Sequence, residues 1–143
     1  QRMQGLVFRA DDPRFDVDSW ETALARALKD LSLRMVNRNA GSGTRVVIDR
    51  LLEGATPPGF AMQVRSHNAV AAAITQDRAD WGIGIEPVAE MYGLGFLPIQ
   101  PEQYDLVIPA TRNQRPAVQA LRRLLDDHET RAHLAGLGFD RSP

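Results

Sequence analysis

The chain has no cysteine, which excludes disulfides and thiolate chemistry without fixing a redox compartment. It has no apolar run approaching the length needed to cross a membrane, and its N-terminus lacks the apolar core of a signal peptide. A cytoplasmic location is the expectation that follows. Charge of either sign is not in excess: 17 Lys+Arg against 18 Asp+Glu leaves a formal net charge of −1, which offers no electrostatic case for nucleic acid or an anionic membrane. Histidine is scarce, at three residues. His128 and His133 are five apart on a predicted helix and so do not share a face, and His67 is remote in sequence. No His/Asp/Glu cluster has metal-ligand spacing, so no metal and no resident cofactor is expected.

What is present is ordinary in bulk. A chain of 143 residues with 43% hydrophobic and 24% charged residues suits a single globular domain with a real core. Met35, Trp81 and Phe96 fit such a core better than a cofactor box. The informative stretch is Asn37-Arg38-Asn39-Ala40-Gly41-Ser42-Gly43-Thr44-Arg45. It follows the strand-like run Leu33–Val36 and precedes Val46–Leu52, whose apolar spacing reads as a helix. A Gly-Ser-Gly-Thr turn feeding a helix presents backbone N–H groups and two hydroxyls at the positive end of the helix dipole. Such a place suits a small oxyanion steadied by Arg45, which can add a bidentate contact. The plainer reading is a tight turn with Ser42 or Thr44 as an N-cap. A dinucleotide fingerprint fails because Val46 stands where the third Gly or Ala belongs, and a P-loop fails because no Gly-Lys-Ser/Thr follows. Ser42 as a nucleophile would need a base, and nothing in the chain nominates one.

Strands and helices alternate along the chain. Strands are predicted at Gly5–Arg9, Leu33–Asn37, Phe60–Arg65, Ala79–Ile85, Phe96–Ile99 and Tyr104–Ile108. Helices are predicted at about Trp20–Lys29, Thr44–Leu52, His67–Gln76, from Pro87 to Gly93 or Gly95, Pro116–Leu125 and Glu129–Leu137. The alternation predicts an α/β fold, a largely parallel sheet flanked by helices. Ligands in such sheets sit at the carboxyl ends of strands. Two polar strand-to-helix turns are there: Gly41–Arg45, and Ser66-His67-Asn68 ahead of the apolar Ala69–Ile74. Both face one crevice if their strands are neighbours. Plain N-capping by Ser66 and plain exposure of His67 are the alternatives at the second turn. The charges on the last two helices, Arg122, Arg123, Asp126 and Asp127 among them, read as solvated faces.

Four motifs, in this order, carry a resemblance: Val36-Asn37-Arg38-(x)2-Gly41-Ser42-Gly43-Thr44-Arg45, Ser66–Ile74, Arg78–Glu86 and Tyr104–Pro109. Together they resemble the periplasmic-binding-protein-like domain found attached to helix-turn-helix regulators and to molybdopterin-biosynthesis proteins. The likeness extends to the type II solute-binding fold used by molybdate-, tungstate- and phosphate-binding proteins and by LysR-type effector domains. It runs from about Gly5 to Leu125. It implies a second lobe at about 10–103, crossing strands at about 5–9 and 104–109, and C-terminal helices at about 115–137. The family's first lobe precedes the strand that matches Gly5–Arg9, and only four residues stand before it here. A chain that opens Gln1-Arg2-Met3-Gln4 is accordingly expected to be a fragment.

The resemblance implies a non-enzymatic, oxyanion-sensing lobe for a molybdate- or tungstate-like ligand, part of a larger regulator or molybdenum-cofactor-related protein. Its contacts fall on Gly41, Ser42, Gly43, Thr44 and Arg45, with Ser66 and His67 as the second turn. Glu86, at a strand's end, is expected to pair with Arg45 or to cap the helix at Pro87, and Tyr104 to pack at the hinge. A protein-interaction or dimerisation module with a vestigial anion site is the alternative. Without first-lobe cover, unpaired edges and apolar side chains at Leu6, Phe8, Leu106 and Ile108 lead to the expectation of a homodimer or a fused partner domain.

Overall fold

The computed structural model describes residues 1–139. Its elements are, in order, β1 (Arg2–Arg9), α1 (Trp20–Lys29), β2 (Met35–Arg38), α2 (Gly43–Leu52), β3 (Gln63–Val64), α3 (His67–Thr75), β4 (Trp81–Ile85), α4 (Glu86–Met91), β5 (Leu94–Glu102), α5 (Pro116–Asp126) and α6 (His128–Gly136). Short 3-10 turns lie at Pro13–Phe15 and Ala110–Arg112. Serine hydroxyls begin three of the helices, with Ser19, Ser42 and Ser66 each accepting from a backbone N–H in the first turn, the ordinary remedy for orphan donors at a helix start.

One sheet carries the strands in the order β3-β2-β4-β1-β5. β2 is parallel to both β3 and β4, and β1 is antiparallel to β4 with Leu6 opposite Ile83. Gly5 lies against Leu97 and Gly95 against Phe8, so β5 runs opposite to β1. Among the described residues, four strands therefore share one direction and β1 alone is reversed.

Side-chain alternation sends successive residues to opposite faces of the sheet. Leu6, Phe8, Met35, Trp81 and Ile83 point to one face, where they pack with Ala23, Leu24 and Ala27 of α1 and Ile48 and Leu52 of α2. Val7 and Val36 point to the other, where they meet Val70, Ala73 and Ile74 of α3 and Ala89 of α4. On that second face β4 offers glycine. A side chain at Gly82 would come within 2.9 Å of both Val36 and Val70, so bare backbone there is what lets α3 lie this close to the sheet.

The chain divides into two compact units. Residues 3–100 hold this sandwich, and residues 1–2 with 101 onward form the other. In the second unit Arg2 pairs with Glu102 at 2.6 Å and lies over the rings of Tyr104 and Phe139, 5.0 and 4.7 Å from their centroids. α5 and α6 belong to this unit and bury none of their residues fully. No helix of the described residues is long and apolar enough to cross a membrane.

Three expectations are corrected. Tyr104–Pro109 is irregular rather than a strand beside β1, because the place next to β1 is taken by β5, which is much longer than Phe96–Ile99. Pro98 and Pro101 do not break β5, since it lies at the sheet's edge where a missing N–H is tolerated. Consequently β1 has no free edge, and Leu6 and Phe8 are buried; the strand-edge motive for dimerisation disappears at that strand. The predicted strand Phe60–Arg65 shortens to Gln63–Val64, because turn bonds from Phe60 N–H to the Pro57 carbonyl and from Met62 N–H to the Gly59 carbonyl occupy its first residues.

Candidate functional site

The two polar turns do meet. Because β2 and β3 pair in parallel, with Arg38 beside Val64, both strands end at the same edge, and α2 and α3 both begin there. The Asn39 N–H donates to the Val64 carbonyl at 3.0 Å, which ties the two strand ends together. Gly41 takes a positive φ of 83°, a backbone state that favours glycine, and turns the chain into α2. The Ser42 hydroxyl donates to the Asn39 carbonyl at 3.1 Å and accepts from the Arg45 N–H at 3.2 Å. It is thus a genuine N-cap, as the plainer reading had it. Ser66 does the same for α3, accepting from the Ala69 N–H at 3.1 Å. Gly43 is exposed at the first position of α2.

The charged centre of the cradle is a residue not singled out from the sequence. Arg38, the last residue of β2, is only 7% exposed. The bonds of its guanidinium include one from Nη2 to the Arg65 carbonyl at 3.4 Å and one from Nη1 to the Thr44 hydroxyl at 3.5 Å. Nη1 also lies 3.1 Å from Nδ1 and 3.3 Å from Nε2 of His67. Thr44, 2% exposed, also accepts from the Gln4 amide at 3.4 Å, which brings β1 into the site. A guanidinium does not lose its proton in a protein, so the positive charge persists however deeply it is buried. The cradle therefore joins a permanent cation, an imidazole, an amide, a hydroxyl and two helix starts, an assembly rich in donors and suited to an anion.

Arg45 does something else. Its Nε is 2.6 Å from the Asp49 carboxylate one turn on, Nη1 donates to the Arg38 carbonyl at 3.2 Å, and the guanidinium lies 5.1 Å from the centroid of the Phe60 ring. It braces α2 against the end of β2. The expected partner, Glu86, is exposed at the first position of α4, whose N-cap is Ile85 with no side-chain bond. Asp49 is nearer on the helix and takes the ion pair. Arg38 and Gln4 were missed because a charged last strand residue and a glutamine in an apolar run both read as surface.

Far from the cradle, at the amino ends of β2 and β4, lies a second set of charges. Asp80, 5% exposed, accepts from the Arg34 N–H at 2.8 Å, from Arg34 Nε at 3.2 Å and from Arg9 at 2.7 Å, with Arg14 at 3.5 Å. Burial is the largest influence on its pKa and pushes it up, but these hydrogen bonds overcome it and hold the carboxyl below its usual range. Asp12 takes a bidentate contact from Arg14, at 2.8 and 2.6 Å, and that contact draws its pKa down too. Among the described residues no group of three or more His, Cys, Asp or Glu side chains is placed to hold a metal ion. A cavity of about 750 Å3 lies in the C-terminal unit, among Tyr104, Leu106, Leu125, Leu134 and Phe139. It is mainly apolar and contains none of the cradle residues.

Comparison with known proteins fits this geometry. YvgK of Bacillus subtilis (strain 168), an uncharacterized protein, is 31% identical over 141 residues, covering 95% of this chain and 43% of that protein. An uncharacterized protein from the 5′ region of the ferredoxin 2Fe-2S gene of Clostridium pasteurianum is 31% identical over 81 residues, 56% of this chain and 72% of its own length. The chain thus spans less than half of YvgK. Among solved structures, an ancestral arginine-binding protein bound to glutamine superposes with a TM-score of 0.60 at 13% identity, over 99% of this chain and 61% of that one. That likeness concerns fold alone: an α/β arrangement of the type II periplasmic-binding kind. The model of the PBP superfamily domain matches residues 1–126, and the chain belongs to that family of ligand-binding domains.

Proposed function

We propose that this lobe binds a small oxyanion of the molybdate or tungstate class, without catalysis, as the sensing part of a larger regulator or molybdenum-cofactor-related protein. The observation that carries the reading is the buried Arg38 guanidinium standing where α2 and α3 both begin. In this reading Gly43 and Thr44 offer backbone N–H groups, Thr44 and His67 offer side-chain donors, and Arg38 supplies the charge. Gly41, Ser42 and Ser66 shape the two turns, and Arg45 holds the rim. The choice of molybdate or tungstate among oxyanions leans on the resemblance to domains attached to molybdopterin-biosynthesis proteins. Calorimetric titration of this chain with molybdate, tungstate, sulfate and phosphate tests it. One-site binding that collapses in Arg38→Gln is expected; no heat with any of the four overturns the reading.

A second reading has its own support. Tyr104, Leu106, Val107 and Leu124 are exposed apolar residues of the C-terminal unit, Val107 at 90%, as an interaction module would require. Light scattering across a concentration series decides whether that surface brings two copies together.

A further inference from the structure

We propose that Arg65 is a second guanidinium of the cradle, an outer arm that closes on the bound anion. This rests on the oxyanion reading above and deepens it: the buried Arg38 receives the ligand from the protein interior, and Arg65 holds it from the solvent side.

The backbone of Arg65 is already at the site. It stands between the end of β3 and Ser66, the N-cap of α3. Its carbonyl accepts from Arg38 Nη2 at 3.4 Å, so its side chain starts beside the buried guanidinium. The side chain itself is exposed, and among the described residues its guanidinium has no hydrogen bond and no ion pair. The arginines of α2 are committed by contrast. Arg45 is bonded to Asp49 and to the Arg38 carbonyl, and Arg50 to Gln100. Arg65 is thus an uncommitted cation rooted at a place rich in donors.

The two helix starts are also kept clear of carboxylates of their own. α1, α4 and α6 each carry an acidic residue in the first turn, Glu21, Glu86 and Glu129, where the helix dipole favours negative charge. α2 and α3 carry none. Fixing a free arginine side chain costs conformational entropy, so the arm stays in water until an acceptor arrives. A tetrahedral oxyanion supplies one. It can turn some of its oxygens to Arg38 and the helix starts and present another pair to the planar fork of Arg65.

The experiment is calorimetric titration of the whole chain with sulfate and with molybdate, at low and at high sodium chloride. The parent is compared with Arg65→Gln, Arg65→Lys and Arg78→Gln. Arg78 is exposed and lies ahead of β4, at the opposite end of the sheet, so it reports on overall charge alone. Arg65→Gln should weaken binding about tenfold, with Arg65→Lys between it and the parent and Arg78→Gln at parental affinity. Part of the loss should persist at high salt, where long-range attraction is screened out. Parental affinity in Arg65→Gln, an equal loss in Arg78→Gln, or a loss that vanishes at high salt each overturns the proposal. Labelling of the parent with an arginine-selective dicarbonyl reagent, followed by mass spectrometry, gives a second readout. Saturating sulfate should slow modification of Arg65 and leave Arg78 unchanged; equal rates at Arg65 with and without sulfate overturn the proposal without any variant. Absence of binding by either anion in the parent overturns the oxyanion reading itself, which is a different outcome from binding that ignores Arg65.

Discussion

Arg34 and Arg38 stand at the two ends of one short strand, and their surroundings are opposite. Arg34 joins Arg9 and Arg14 around the carboxylates of Asp80 and Asp12, so each cation there meets an anion from the protein itself. The bonds of Arg38 include those to an imidazole, a hydroxyl and a carbonyl. The first arrangement is internally neutralised and fastens the loops before α1 and β4 to the sheet. The second brings a buried guanidinium to the place where two helices start. One residue type thus does structural duty at one end of the sheet and, in the proposed function, recognition at the other. The partners decide which, and the sequence position does not.

The comparison breaks most visibly at Asp80. Asp80→Asn leaves three guanidinium groups short of a buried counter-charge and should lower unfolding free energy by about 3–5 kcal/mol. Urea denaturation measures this, and oxyanion affinity should hardly move; a large affinity loss with unchanged stability would merge the two regions into one. The mirror experiment is Arg38→Gln, where removing hydrogen bonds to a charged ligand should cost about 1.5–3 kcal/mol of anion binding. Stability should fall as well, by about 1–3 kcal/mol, because buried groups bonded to Arg38, the Thr44 hydroxyl and the Arg65 carbonyl among them, lose a donor. Thr44→Val should have a smaller effect, about 1 kcal/mol on stability and a similar weakening of binding, since Gln4 and Arg38 each lose one acceptor.

The mildest test is pH. Asp80 and Asp12 have folded-state pKa values below their unfolded ones. Their contribution is therefore complete above the unfolded value of about 4 and fades as pH falls through the folded-state values. Acid unfolding followed by circular dichroism should show a shallower loss below about pH 4 in Asp80→Asn than in the parent.

Much of the fold was legible because local rules and global packing agree. The serine caps, the apolar periodicity of α1–α3 and the two-residue alternation of β1 and β4 all point to one arrangement, and Gly82 and Gly84 fall on the face where α3 needs room. Tyr104–Pro109 misled because Leu106 and Ile108 alternate as a strand would. Which segment wins the place beside β1 is a matter of long-range competition, and β5 wins it. At the site, the turn was legible and its cation was not. Arg45 drew attention by adjacency, although Asp49, four residues on, already signalled a helical ion pair. Arg38 required the parallel pairing of β2 with β3, which no local pattern encodes.

The missing side chain at Gly82 reaches further than the core. It sets the height at which α3 rides above β2 and β4, and the first residue of α3 is His67. The gap between His67 and Arg38 is gauged from beneath, by a position in the middle of β4. A single methyl at Gly82 would retune the aperture of the cradle while leaving every group that lines it chemically intact.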